Sequence, residues 1–168
     1  MLRFLALTTV AATACVALVG CTHDETQSGL EVAAQQPVGF FYLDDGATAK
    51  LAYGEANSDN VGLMMECAKG SRTVLVTDLV RSAPAATLTL ISGGARADLP
   101  AAVEAGDGPA IVTASLRTDA PALTSFRKSG AMEVSYAGLR YAMKAAPAER
   151  ERVEQFFGAC GAPAAGRA

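Results

Sequence analysis

Short segments in which apolar and polar residues alternate recur along most of the chain, and they constrain its fold more than any other feature. Each segment is five to seven residues long, and Gly, Pro, Asp and Asn separate one segment from the next. Alternation of this kind is typical of strands that bury one face. We predict eight strands: Val38–Leu43, Ala49–Tyr53, Val61–Cys67, Thr73–Asp78, Ala86–Ser92, Ala110–Leu116, Ala131–Tyr136 and Leu139–Lys144.

This series of strands predicts a mainly β fold, a small antiparallel β-sandwich or barrel-like domain. Two further segments, Leu99–Ala105 and Pro121–Lys128, are ambiguous. The second could form a short helix with Leu123 and Phe126 pointing inward.

The last two strands predict a hairpin with a defined register. A two-residue loop at Ala137-Gly138 places Val134 opposite Tyr141, and it places the apolar residues of both strands on one face. The other pairs are then Tyr136 with Leu139 and Met132 with Met143. On the opposite face, Glu133 lies diagonal to Arg140 and Lys144, so that opposite charges meet.

One α-helix is predicted at the carboxyl end of the domain, in AAPAERERVEQFFGAC. Pro147 suits a first helical turn, and acidic residues follow it near the positive end of the helix dipole. A single apolar stripe with helical spacing comprises Val153, Phe156, Phe157 and Cys160. Gly161 and Pro163 end the helix.

The amino-terminal segment has the layout of a secretory signal peptide. Arg3 precedes an uncharged stretch of 17 residues, Phe4–Gly20, and a polar segment begins at Thr22. That length is at the lower limit for spanning a bilayer, and threonines dilute its apolar character. An uncleaved anchor helix and simple secretion are the alternatives. The predicted layout is a signal peptide helix (1–20), a flexible tether (21–36), one β-rich domain (37–160) and a disordered tail (161–168).

The end of this segment, Leu18-Val19-Gly20-Cys21, resembles a bacterial lipobox. The resemblance implies cleavage between Gly20 and Cys21, a diacylglyceryl group on the Cys21 thiol and acylation of the new amino terminus. Several buried acyl chains give stable anchoring. In lipoprotein sorting, Thr22 after the cysteine favours the outer membrane. We therefore expect a lipid-anchored protein of the bacterial cell envelope, attached to the outer membrane and facing the periplasm.

Two of the four cysteines remain once the signal peptide is removed and Cys21 is lipidated. Cys67 and Cys160 are then an even pair in an oxidising compartment, which predicts a disulfide between them. Cys67 shares a predicted strand face with Val61, Leu63 and Met65, so that both cysteines point into the core. In the chain-entropy model, a closed loop of about 93 residues makes this crosslink worth roughly 4–5 kcal/mol.

Charge and composition limit the partners of the mature chain. Removal of residues 1–20 removes one base, Arg3, and no acid, so the net charge changes from −3 to −4. Mild acidity without a basic cluster argues against nucleic acid as a partner. The remaining 148 residues suffice for one domain with a real core. We expect the membrane, through the N-terminal lipid, and another envelope protein as partners.

No catalytic constellation is evident in the sequence. The single histidine, His23, lies two residues after Cys21 in the predicted tether, so no histidine triad or metal site can be built on it. Asp44-Asp45-Gly46 fails as an EF-hand loop and is a hairpin-turn signal instead. Ser92-Gly93-Gly94 and Lys69-Gly70-Ser71 lack the pattern of a phosphate loop. Alternation places Phe41 on the opposite strand face from Phe40 and Tyr42, which favours core filling over an aromatic binding strip.

The expected function is therefore binding rather than catalysis, with no catalytic residue, cofactor or metal. Phe156-Phe157-Gly158-Ala159-Cys160 loosely resembles the end of small bacterial envelope domains, in which a hairpin precedes a helix with an aromatic pair and a Cys. Our leading hypothesis is a tethered, non-catalytic domain that binds or braces another envelope component. The alternative is an inhibitor or accessory factor of an envelope hydrolase. A third hypothesis is an enzyme that uses only carboxylates, for which the candidates are Asp44, Asp59, Glu66, Asp78 and Asp107.

Overall fold

Two antiparallel sheets and two helices form the part of the protein that a computed structural model describes, residues 37–80, 85–105 and 108–161. The first sheet contains six strands in the order β1-β2-β3-β4-β8-β7, and the second contains four in the order β10-β9-β5-β6. The predicted mainly β, antiparallel fold with a carboxyl-terminal helix is confirmed. The predicted signal peptide and tether, and all of the predicted tail after Gly161, lie outside the described residues.

The strands are short and follow one another closely. Their bounds are β1 Val38–Asp45, β2 Thr48–Glu55, β3 Val61–Ala68, β4 Thr73–Val80, β5 Thr87–Ser92, β6 Ala95–Pro100, β7 Ala102–Glu104, β8 Ala110–Arg117, β9 Ala131–Tyr136 and β10 Leu139–Lys144. The helices are α1, Pro121–Ser129, and α2, Arg150–Ala159. A 3-10 turn, Pro147–Glu149, leads into α2.

The β9–β10 hairpin has the predicted register. Val134 pairs with Tyr141, and the loop is Ala137-Gly138. Both loop residues have positive φ, 49° for Ala137 and 81° for Gly138, as a two-residue turn matched to the strand twist requires. Across the hairpin, the Glu133 carboxylate forms an ion pair with the Arg140 guanidinium at 2.9 Å.

The segment Leu99–Ala105, ambiguous in sequence, passes from one sheet to the other. Its first part completes β6, which pairs with β5, and its second part forms β7, which pairs with β8. Ala101 lies between the two strands. β6 was not among the predicted strands, because Arg96 and Asp98 occupy its exposed face and Gly93-Gly94 precedes it. Pro121–Lys128 is helical, and Leu123 and Phe126 are fully buried, as the helical interpretation of this segment expects.

The core between the sheets is closed by aromatic residues from both helices. Phe126 of α1 lies 5.4 Å from Phe40 of β1 and 6.1 Å from Phe157 of α2, measured between ring centroids. Phe156 is a further 5.3 Å from Phe157. Every member of the predicted stripe on α2 is fully buried, so that this prediction is confirmed.

The carboxyl end of α2 is fixed to the turn between β3 and β4. The Gly70 amide donates to the Ala159 carbonyl at 2.9 Å, and the Arg72 amide donates to the Cys160 carbonyl at 3.0 Å. These donors satisfy carbonyls that a helix end leaves without partners. The same contact brings Cys160 to Cys67 on the inner face of β3, with Sγ atoms 1.98 Å apart and Cα atoms 5.8 Å apart. The predicted cysteine pair therefore lies at disulfide distance.

Candidate functional site

Asp78 interrupts a row of apolar and aromatic side chains on the inner face of the six-stranded sheet. Cross-strand pairing places it beside Leu63 of β3 and Val112 of β8. The whole row comprises six residues in cross-strand order: Phe40, Tyr53, Leu63, Asp78, Val112 and Val103. A carboxylate therefore occupies a core position, and its surroundings decide what it does.

The carboxylate of Asp78 is buried without a full set of partners. The residue is 3% exposed, and its Oδ2 atom makes no hydrogen bond. The Tyr141 hydroxyl of β10 faces it, and Tyr141 Oη likewise makes no hydrogen bond of acceptable geometry. The great majority of buried polar atoms have a hydrogen-bond partner, so that two facing atoms without one are unusual.

Burial dominates the titration of both groups. It raises the pKa of the Asp78 carboxyl above its ordinary value, while the Tyr141 hydroxyl and the Leu79 backbone amide act in the opposite direction. Burial also raises the pKa of Tyr141, and the nearby Asp78 carboxylate raises it further. Tyr141 is therefore a neutral hydroxyl at physiological pH, able both to donate and to accept.

These two groups line an opening between the sheets, which we call the inter-sheet cleft. It has a volume of about 290 Å³ and is lined by Asp78, Leu79, Val80, Tyr136, Leu139 and Tyr141. Leu139, on the same strand face as Tyr141, is 51% exposed, so that the cleft reaches the surface. The Tyr136 hydroxyl is held in place, because it accepts from the Ala85 amide at 2.7 Å and donates to the Ala85 carbonyl at 3.0 Å.

A second concavity lies on the outer face of the same sheet, and we call it the outer groove. Its floor consists of Phe41, Ala52 and Met64, which are cross-strand neighbours on β1, β2 and β3. The polar rim includes Lys50 and Asn57, and the volume is about 390 Å³. An apolar floor within a polar rim is typical of a surface that binds an apolar group of a partner.

The outer face is apolar beyond the groove as well. Leu75, Leu79 and Ile111, which do not line the groove, are all more than one third exposed. The Arg152 guanidinium of α2 lies 5.5 Å over the Phe41 ring and donates to the Phe40 carbonyl at 2.8 Å. Arg152 therefore satisfies one carbonyl on the free edge of β1 and lies over Phe41, a residue of the groove floor.

The carboxylates that are candidates for an enzyme site in the sequence lie apart from one another in the structure. Asp44 forms an ion pair with Lys69 at 2.5 Å, Asp59 lies exposed in the loop after β2, and Glu66 lies 3.8 Å from Lys50. Glu66 occupies the outer face and Asp78 the inner face of the sheet. Asp107 is outside the described residues.

Other candidates have simple structural roles or lie outside the described residues. Asp45 ends β1, and Gly46 lies in the hairpin turn as predicted, with φ of 60°. Gly93-Gly94 forms the β5–β6 turn. Phe40 is buried and Phe41 is on the outer face, as alternation predicted. The predicted lipidation site Cys21, the predicted cleavage position Gly20 and His23 are among the residues that are not described.

The described ranges contain no group of three or more His, Cys, Asp or Glu residues that could hold a metal ion. Within the same ranges, neither helix has the length and apolar character needed to cross a membrane.

The partnership of Asp78 with Tyr141 was not predicted from the sequence. The predicted fourth strand ends at Asp78, whereas β4 continues to Val80. The signal was present in the series Val74, Val76, Asp78 and Val80, in which an acid takes a core position. The opposing hydroxyl was not predictable, because the sequence does not show which strands of two packed sheets face each other.

Comparison with protein-family models, with curated proteins and with solved structures found no match.

Proposed function

We propose that this chain is a lipid-anchored protein of the bacterial cell envelope whose two-sheet domain binds another envelope protein without catalysing a reaction. The resemblance of Leu18-Val19-Gly20-Cys21 to a bacterial lipobox supports the anchoring. The observation that supports binding is the outer groove, an apolar concavity on a sheet face that neither α1 nor α2 fills.

The chemistry of the groove indicates the kind of contact it makes. Phe41, Ala52 and Met64 supply an apolar floor, and methionine and aromatic side chains are enriched at protein interfaces. Lys50 and Glu55 lie at the rim, where they can fix the orientation of a partner. The proposed occupant is therefore an apolar segment of a partner protein, bordered by polar groups.

Two matched variants test this proposal. Ala52→Glu places a charge on the groove floor, whereas Thr113→Glu places the same charge further along the same cross-strand row, outside the groove. Both positions are half-buried. Crosslinking and co-purification from envelope membranes should recover a partner with wild type and with Thr113→Glu, and should lose it with Ala52→Glu. Equal recovery with the two variants would contradict the proposal.

Anchoring is tested separately. Mass spectrometry of the mature protein should find a diacylglyceryl group on Cys21, and Cys21→Ser should release the domain from membranes once uncleaved precursor has been accounted for. A mature chain without lipid would refute the anchor and leave the groove to be judged on its own test.

A further inference from the structure

The inter-sheet cleft contains the buried, incompletely partnered carboxyl group of Asp78. A carboxylate is almost never fully buried unless it is paired. Asp78 Oδ2 has no hydrogen-bond partner, and neither the Tyr141 hydroxyl nor the Leu79 amide, which act on this carboxyl group, supplies a positive charge. Either a proton or an incoming cation must neutralise this group.

The shape of the cleft favours a small ligand. Its volume of about 290 Å³ lies near the lower end of the range for small-molecule sites. Leu139 forms an exposed apolar rim, so that a ligand can enter from the surface and keep its apolar part against this side chain.

The polar groups of the cleft select the class of ligand. Asp78 Oδ2 and Tyr141 Oη both accept hydrogen bonds, and an ammonium group has three donors and the complementary charge. The aromatic rings of Tyr136 and Tyr141 also line the cleft, and aromatic rings attract cations. An anionic ligand would be repelled, and one carboxylate with one phenol is a poor ligand set for a metal ion.

We propose that the inter-sheet cleft binds the ammonium group of a small organic amine, with the Asp78 carboxylate as its ion-pair partner and the Tyr141 hydroxyl as a second acceptor. The apolar part of the amine rests against Leu139. This site is independent of the outer groove, because it lies on the inner face of the sheet.

A pair of probes with the same shape tests the proposal on the full-length protein. Benzylammonium carries the charge, and benzyl alcohol replaces it with a neutral hydroxyl. Calorimetry or NMR titration should show saturable one-to-one binding of benzylammonium in the millimolar range, as expected for about eight non-hydrogen atoms, and at least about tenfold weaker binding of benzyl alcohol.

Variants locate the binding. Asp78→Asn should weaken benzylammonium binding by at least about tenfold, since a charge-assisted hydrogen bond is lost. Asp59→Asn removes the same charge from an exposed loop and should leave binding unchanged. Leu139→Arg, at an exposed rim position, should also block binding, because its guanidinium reaches the carboxylate in place of the ligand. This second variant remains informative if Asp78→Asn does not fold.

Three results would overturn the proposal. One is the absence of saturable benzylammonium binding to the wild-type protein, which would make Asp78 and Tyr141 a purely structural pair. Another is equal affinity for benzyl alcohol and benzylammonium, which would show that no ion pair contributes to binding. The third is undiminished binding by a folded Asp78→Asn or Leu139→Arg variant, which would place the amine elsewhere.

Discussion

Replacement of both Cys67 and Cys160 by alanine should lower the stability of the domain by several kcal/mol. The two residues are 93 positions apart, and a loop of this length corresponds to about 4.6 kcal/mol in the chain-entropy model. Residual structure in the unfolded chain reduces this figure, so we expect a loss of about 3–4 kcal/mol. That is a large part of the roughly 5–15 kcal/mol that a domain of this kind possesses.

The native fold should nevertheless survive the replacement. The hydrogen bonds from Gly70 and Arg72 to the end of α2 do not depend on the sulfur atoms. The stripe Val153, Phe156 and Phe157 still buries the helix. The effect of the crosslink should therefore appear in the unfolding equilibrium and leave the circular dichroism spectrum of the folded state unchanged.

Urea unfolding of three samples separates the crosslink from the packing of the side chains. With an m-value of about 2 kcal/mol/M, the midpoint should fall by about 1.5–2 M in the double-alanine variant. Reduced wild-type protein should show nearly the same loss, because it retains both side chains and lacks only the bond. Equal midpoints for oxidised and reduced wild-type protein would refute the reasoning. So would peptide mapping of natively purified protein in which the peptides containing Cys67 and Cys160 are not joined.

Three further substitutions test other parts of the structure. Asp78→Asn should stabilise the ligand-free protein by about 1–2 kcal/mol at pH 7, because a buried, incompletely partnered charge is removed. Because burial raises the pKa of Asp78 in the folded state, the wild-type protein loses unfolding free energy as the pH rises through the folded pKa of this group. The difference in unfolding free energy between Asp78→Asn and wild type should therefore grow from acid to neutral pH, as measured by chemical unfolding. Ala137→Asn should raise the thermal midpoint by the equivalent of about 0.5–1 kcal/mol, since asparagine tolerates positive φ, while Ala47→Asn in the β1–β2 turn gains nothing. Glu154→Ala should lower the free energy of unfolding in urea by about 1–2 kcal/mol, because the buried Arg127 loses the carboxylate that it contacts at 2.6 Å. A decrease below about 0.3 kcal/mol would show that this pair adds no stability.

Local features of this fold could be predicted from the sequence, whereas several long-range features could not. The register of the β9–β10 hairpin followed from alternation and turn chemistry, which act over a few neighbouring residues. The inward orientation of Cys67 and Cys160 followed from two periodicities, one of a strand and one of a helix. The split of Leu99–Ala105 between two sheets was not predictable, because nothing local decides which sheet a short strand joins.

The candidate sites show the same limit. The outer groove depends on three strands lying side by side, so that Phe41, Ala52 and Met64 become neighbours although they are far apart in sequence. The inter-sheet cleft depends on strands of different sheets facing each other. A buried acid in an apolar row was visible as an irregularity at Asp78, but its opposing tyrosine was not.

The position of the cysteine pair in the chain has a consequence for how the domain matures. Strands β1 to β4 form a continuous meander of neighbours, and Cys67 belongs to this part, which leaves the ribosome first. Cys160 follows only after α2, when β8, β9 and β10 have already been made. The Cys67 thiol therefore has no native partner during most of synthesis, and the bond can close only when the last helix docks against the turn at Gly70. The crosslink accordingly secures a finished domain and cannot direct the early pairing of its strands.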